Sequence, residues 1–185
     1  MKVQPITEVK DIRSIKKLLS NKSRDKLLFV MGINTGLRVQ DILEIKTGEV
    51  RDATIGDRIS FNELKTGKVN VLIINKEIRQ SLDDYFNESD LKDTDYLFKS
   101  RKGRNYPLST HAVTIMVKMW TESVNLKGNY GAHTLRKTWC YIQRKEFGVS
   151  WELIAKRLNH SNPAVTRRYL GVKEEEVEEI LLNGV

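Results

Sequence analysis

The chain has 185 residues, of which 39% are hydrophobic and 30% charged, and its formal net charge is +8 with a pI of about 9.5. That balance excludes a disordered or fibrous chain, suits one domain with a sizeable core, and points to a polyanionic partner. Cys140 is the only cysteine, which rules out an intrachain disulfide and a cysteine-based metal site and leads us to expect a reducing, cytoplasmic setting. The opening MKVQPITEVKDIRSIKKLL carries charges throughout, unlike a signal peptide, and no apolar run reaches the length that spans a bilayer.

In chain order, Val9, Ile12, Ile15, Leu18 and Leu19 recur at helical spacing with lysines opposite, which predicts an amphipathic surface helix over 8–20. Residues 24–35 (RDKLLFVMGINT) are almost wholly apolar after the first turn and predict a buried helix at the centre of the core. Gly36 breaks it, Arg38 follows, and 39–45 predict another short helix. The period then changes. RISFNEL (58–64) and VNVLII (69–74) are strand-like and joined by Lys65, Thr66, Gly67 and Lys68, a hairpin turn, with a third strand expected around Glu49–Thr54.

Ile78, Leu82 and Phe86 mark a helix over 76–87, and 88–108 are loop-rich. Ser109 is placed to cap a helix running to about Val124, with Val113, Met116, Val117 and Trp120 inward. Further helices are expected over 134–147 and 150–158. Asn162 and Pro163 read as the cap and first residue of a short helix that carries Tyr169 outward beside Arg167 and Arg168. The layout is a mainly α domain with a small antiparallel β-sheet, an α+β class.

Six residues form a constellation: Arg38 in TGLRVQDIL, Lys65 in the hairpin turn, His133 and Arg136 at i and i+3 in HTLR, His160 in LNHSNP, and Tyr169. Singly, each has a bland reading as a surface cation, a local polar pair or a core-edge tyrosine. Together they match one chemistry. Attack on a phosphodiester loads charge onto its non-bridging oxygens, and two guanidiniums can hold them bidentately at any working pH. A tyrosine hydroxyl can attack phosphorus and conserve the bond energy as a phosphotyrosine ester. A turn lysine can protonate the leaving 5′-oxygen, and histidines titrate near neutrality.

This set, with Asp41 three residues after Arg38 and the runs LKTGK, HTLRKTW and LNHSNPAVTRRYL, resembles the tyrosine recombinases, or phage integrase family, over roughly Leu27–Val172. The resemblance implies that family's catalytic-domain fold. It implies a site-specific recombinase that cleaves and rejoins DNA through a 3′-phosphotyrosyl link at Tyr169, with no metal, ATP or other cofactor. Arg38 and Arg136 would clamp the phosphate, Lys65 would protonate the leaving hydroxyl, His133 would assist proton movement, and His160 would bond the phosphate. Asp41 would support the site from behind. Asn159 stands where the family commonly has glycine, and Lys137 where it often has histidine or arginine.

From Lys127 to Leu170 nine basic residues (Lys127, Arg136, Lys137, Arg144, Lys145, Lys156, Arg157, Arg167, Arg168) face two acids (Glu146, Glu152), a balance suited to DNA. Lys68, Lys137, Arg167 and Arg168 are the expected backbone contacts. Residues 1–172 are expected as the catalytic domain and 173–185 as an acidic tail helix, exchanged between protomers. The helical core-binding domain that most members carry is expected to be absent. The expected partners are double-stranded DNA with specific recombination sites and further copies of the chain. Those copies would form a tetramer on paired sites and a monomer or weak dimer without DNA, with the protein on the nucleoid when bound and a mobile element as its setting. The competing readings are a DNA-binding regulator without catalysis, a type IB topoisomerase-like enzyme, and a metal-dependent nuclease, for which the acids are too scattered.

Overall fold

A computed structural model describes residues 2–101 and 104–171. The elements run α1 (Val9–Leu18), α2 (Ser23–Thr35), α3 (Val39–Leu43), α4 (Thr47–Val50), β1 (Arg58–Asn62), β2 (Val69–Ile73), α5 (Lys76–Asn87), α6 (Thr110–Ser123), α7 (Ala132–Lys145), α8 (Trp151–Arg157) and α9 (Pro163–Leu170). The mainly helical layout with one antiparallel hairpin is as expected. Among the described residues the sheet has two strands, and the segment expected as a third strand instead begins as α4. The expected tail helix over 173–185 lies outside the described residues. Among the described residues, no helix is long and apolar enough to cross a membrane.

The core forms around α2, because that helix is apolar on every side. Leu27, Leu28, Phe29, Val30 and Met31 are all buried, each worth about 1.5–3 kcal/mol relative to exposure. α2 packs on both α5 and α7. Gly32 permits the approach of α7: a Cβ there would lie 2.6 Å from Leu135 Cδ1. α1 covers this core with Ile12 and Ile15, whereas Leu18, expected on the same side, is 40% exposed. Gly36 ends α2 in the left-handed conformation (φ 67°), and a Cβ on it would meet the Trp139 ring at 2.7 Å. The chain therefore turns sharply and enters α3 with Arg38 at its start.

β1 and β2 pair from Arg58↔Ile73 to Asn62↔Val69. Strand alternation puts Ile59 and Phe61 on one face, opposite Leu72 and Asn70. Glu63 continues that inward parity and is buried. The turn closes with Gly67 N donating to Glu63 O at 2.8 Å.

A second, smaller cluster unites Cys140, Trp151, Ile154, Leu158 and Leu170. It holds α8 and α9 against α7. As expected, Asn162 caps α9, its Oδ1 accepting from Val165 N at 3.1 Å, with Pro163 as the first helical residue. Gly171 ends the helix at φ 84°.

Candidate active site

α7 supplies the deepest group. Arg136 lies in its first turns and is only 2% exposed. Its Nη2 donates to the Leu158 carbonyl at 2.7 Å, while Nε and Nη1 are buried without a partner. Burial, and then the Arg38 charge, bring its pKa down to about 10. It stays a cation at neutral pH, with two donors that meet no partner among the described residues. A buried unpaired donor costs about 1–3 kcal/mol, a deficit that an anion would remove.

Arg38 reaches the same place from the start of α3, where its backbone is extended (φ −71°, ψ 139°). Its Nη1 lies 2.6 Å from Glu63 Oε2. Asp41, one helical turn on, is buried; its Oδ1 accepts from Leu64 N at 3.0 Å and so fastens the hairpin to α3. Burial raises the Asp41 pKa, with Glu63 adding to the rise and Arg38 and Arg136 opposing it. Burial would likewise raise Glu63, but hydrogen bonds from Thr66, Asn70, Arg38 and Asn159 outweigh it and hold the carboxyl at about 2.

His160 follows Asn159, whose positive φ of 56° turns the chain. Its Nδ1 sits 2.9 Å from the buried Thr166 Oγ1, which leaves Nε2 for a substrate. Burial, then the charges of Arg136 and Arg38, push its pKa down to about 4. His133 is exposed at the start of α7. Loss of water and then the cations Arg136, Lys65, Lys137 and Arg38 lower its pKa. Lys65, exposed in the hairpin turn, thus lies close enough for its charge to act on His133.

Tyr169 differs from expectation. α9 does not carry it outward: its ring packs into the second cluster and meets His160 edge-on, centroids 5.5 Å apart at 75°. Its hydroxyl is buried without a partner among the described residues. Burial pushes the phenol up to about 12, partly opposed by Arg136 and Arg38. The reason is amphipathicity: Leu170 and Thr166 must face the core, and Tyr169 turns with them while Arg167 and Arg168 stay exposed.

Lys137, expected as a DNA backbone contact, is 5% exposed, with Nζ 5.2 Å from the Tyr169 ring centroid. Lys68, expected in the same role, is exposed in the turn. The fold therefore brings Arg38, Lys65, His133, Arg136, His160 and Tyr169 to one place. Sequence reasoning passed over Glu63 and Asn70, and counted Arg157 only in the basic balance suited to DNA, whereas its guanidinium donates to Thr35 O and Asn70 Oδ1. The available signal was parity, since Glu63 and Asn70 are polar residues on the inward face of a hairpin. Among the described residues, no three His, Cys, Asp or Glu side chains converge as a metal-holding group.

The model of the phage integrase family matches residues 6–176. The chain belongs to this family. Its relatives in the family include the probable integrase/recombinase YoeC of Bacillus subtilis (strain 168), 36% identical over 176 residues, covering 94% of this chain and 92% of that protein. The tyrosine recombinase XerC of Caldanaerobacter subterraneus is 27% identical over 173 residues, covering 89% of this chain but 47% of the relative. Beside XerC, then, this family member spans about half the relative's length. The fold also matches that of XerH site-specific recombinase, solved bound to palindromic difH substrate as a post-cleavage complex. That match has a TM-score of 0.76 and 18% identity, covering 98% of this chain and 53% of the other.

Proposed function

We propose that this tyrosine recombinase cleaves and reseals DNA with Tyr169 as its nucleophile, and that Arg38, Lys65, His133, Arg136 and His160 complete the reacting set. One observation carries the reading: the buried, partnerless donors of Arg136 share a site with the equally partnerless hydroxyl of Tyr169. A phosphodiester is the group that both lack. Its non-bridging oxygens would take the Arg136 and Arg38 donors and His160 Nε2. Donors preformed for transition-state charge are worth about 3–4 kcal/mol each, so two arginines together account for a rate factor of roughly 10⁴–10⁶.

In the reaction, Tyr169 Oη bonds to phosphorus and its proton passes to His133 or solvent. The bond from phosphorus to the 5′-oxygen breaks, and that oxygen takes a proton from Lys65. A 5′-hydroxyl from the partner strand reverses these steps, restoring the diester and the free phenol.

Double-stranded DNA carrying specific sites is the proposed partner, with a tetramer on paired sites and a monomer or weak dimer in the absence of DNA. XerH was solved bound to palindromic difH substrate, and Arg167, Arg168 and Lys68 are exposed cations on the segments that carry Tyr169 and Lys65. On a suicide DNA substrate the protein should form a covalent adduct that Tyr169→Phe abolishes. An adduct that survives this change removes Tyr169 as nucleophile. Tight specific binding with no adduct on any substrate makes the chain a non-catalytic regulator, and relaxation of supercoils without site preference makes it topoisomerase-like.

A further inference from the structure

The hairpin turn carries a buried carboxylate two residues before Lys65. The Glu63 side chain has 0% exposure and lies 2.6 Å from Arg38 Nη1. Thr66 Oγ1 and Asn70 Nδ2 donate to it, the latter at 2.7 Å, and the Asn159 side chain adds a further hydrogen bond. Asn70 Oδ1 accepts from Arg157 Nη1 at 2.6 Å, and Arg157 Nε donates to the Thr35 carbonyl at 2.8 Å. One carboxylate thus ties together the segments that carry Arg38, Lys65 and His160, and anchors them to the end of α2.

An acid at this place opposes phosphate binding, because like charges repel. A buried ion pair is also weak evidence of stabilisation by itself. What Glu63 supplies is geometry. Arg38 and Arg136 repel each other, and the Arg38 side chain, 16% exposed, has solvent to swing toward. Glu63 holds one end of the guanidinium and leaves the Nε–Nη2 edge for a bidentate anion. We infer that Glu63 is a positioning residue that holds Arg38 in the orientation that receives the scissile phosphate. The inference rests on the recombinase reading above.

The test uses the full chain and a DNA site selected by binding from a random pool. The site is built as a suicide substrate with oxygen or sulfur at the 5′-bridging position. If the parent forms no adduct, or Tyr169→Phe keeps one, the recombinase reading falls and takes this inference with it. With an active parent, Glu63→Gln should slow adduct formation about 10–100-fold, the scale of a misplaced clamp. Half-saturating DNA should change less than about threefold, because the effect lies on kcat rather than binding. The loss should persist on the sulfur substrate, whose thiolate leaves without a proton and which should restore Lys65→Ala. Glu63→Asp should recover part of the rate. In an Arg38→Ala background, Glu63→Gln should add nothing. A Glu63→Gln rate within about threefold of the parent overturns the inference. So does rescue by sulfur, which would assign Glu63 to Lys65 alone, and so does full additivity with Arg38→Ala. Should Glu63→Gln melt below the assay temperature, Glu63→Asp goes through the same cycle with the same readings.

Discussion

Tyr169→Phe should make the DNA-free protein more stable. The Tyr169 hydroxyl is buried and unpartnered, and such a group costs about 1–3 kcal/mol. Phenylalanine keeps the ring, its edge contact with His160 and its place under Lys137, so little packing is lost. We expect a gain of about 1–2 kcal/mol at pH 7, a rise of roughly 2–8 °C in melting temperature for a chain of this size. The pH dependence sharpens the test. The folded phenol pKa of about 12 lies above the ordinary tyrosine value of 10.0, so the unfolded chain loses its proton first. The tyrosine's contribution is therefore fully present below pH 10 and is lost as pH rises toward 12. The phenylalanine variant lacks this titration, so its advantage should widen between pH 7 and pH 11 by roughly 1–1.5 kcal/mol. Paired guanidinium melts followed by circular dichroism at both pH values measure this. A variant no more stable than the parent at pH 7, with a gap that does not grow, would refute the reasoning.

Thr166→Val removes the partner of His160 Nδ1 and should cost about 1 kcal/mol of stability; adduct formation should slow about tenfold, as expected when a donor to the phosphate is mis-set. Stability should fall as pH drops from 6.5 toward 4, because the His160 pKa is depressed to about 4 and the unfolded chain takes up its proton first. His160→Asn should flatten that part of the profile in pH-dependent melts. Gly36→Ala must adopt a positive φ and press on Trp139, a combined cost of about 2–4 kcal/mol that calorimetry would detect. Arg167→Ala and Arg168→Ala should each lower the salt slope of DNA binding by about one. Lys137→Ala should instead lower the melting temperature and leave that slope unchanged, because its ammonium lies over the Tyr169 ring.

The amino-acid pattern alone determined the element order, the buried α2, the capped α9 and the set of residues proposed to react. Those signals are local: an apolar run, a cap beside a proline, and residue types that only one chemistry needs together. Tertiary structure decided what depends on distant neighbours. Glu49–Thr54 was expected as a strand but begins within α4, whose first residues Thr47 and Gly48 donate their backbone N–H groups to the distant Asp95 and Asp93 carbonyls. Leu18 sits at the end of α1, where no partner covers it, and remains exposed. Lys137 is buried because α8 and α9 fold back onto α7, and that docking decides that Tyr169, on the inward face of α9, meets His160 and Lys137. Glu63 joins Arg38 across 25 positions of chain; its parity marked it as inward, but only the packing of the hairpin against α3 showed which cation it meets.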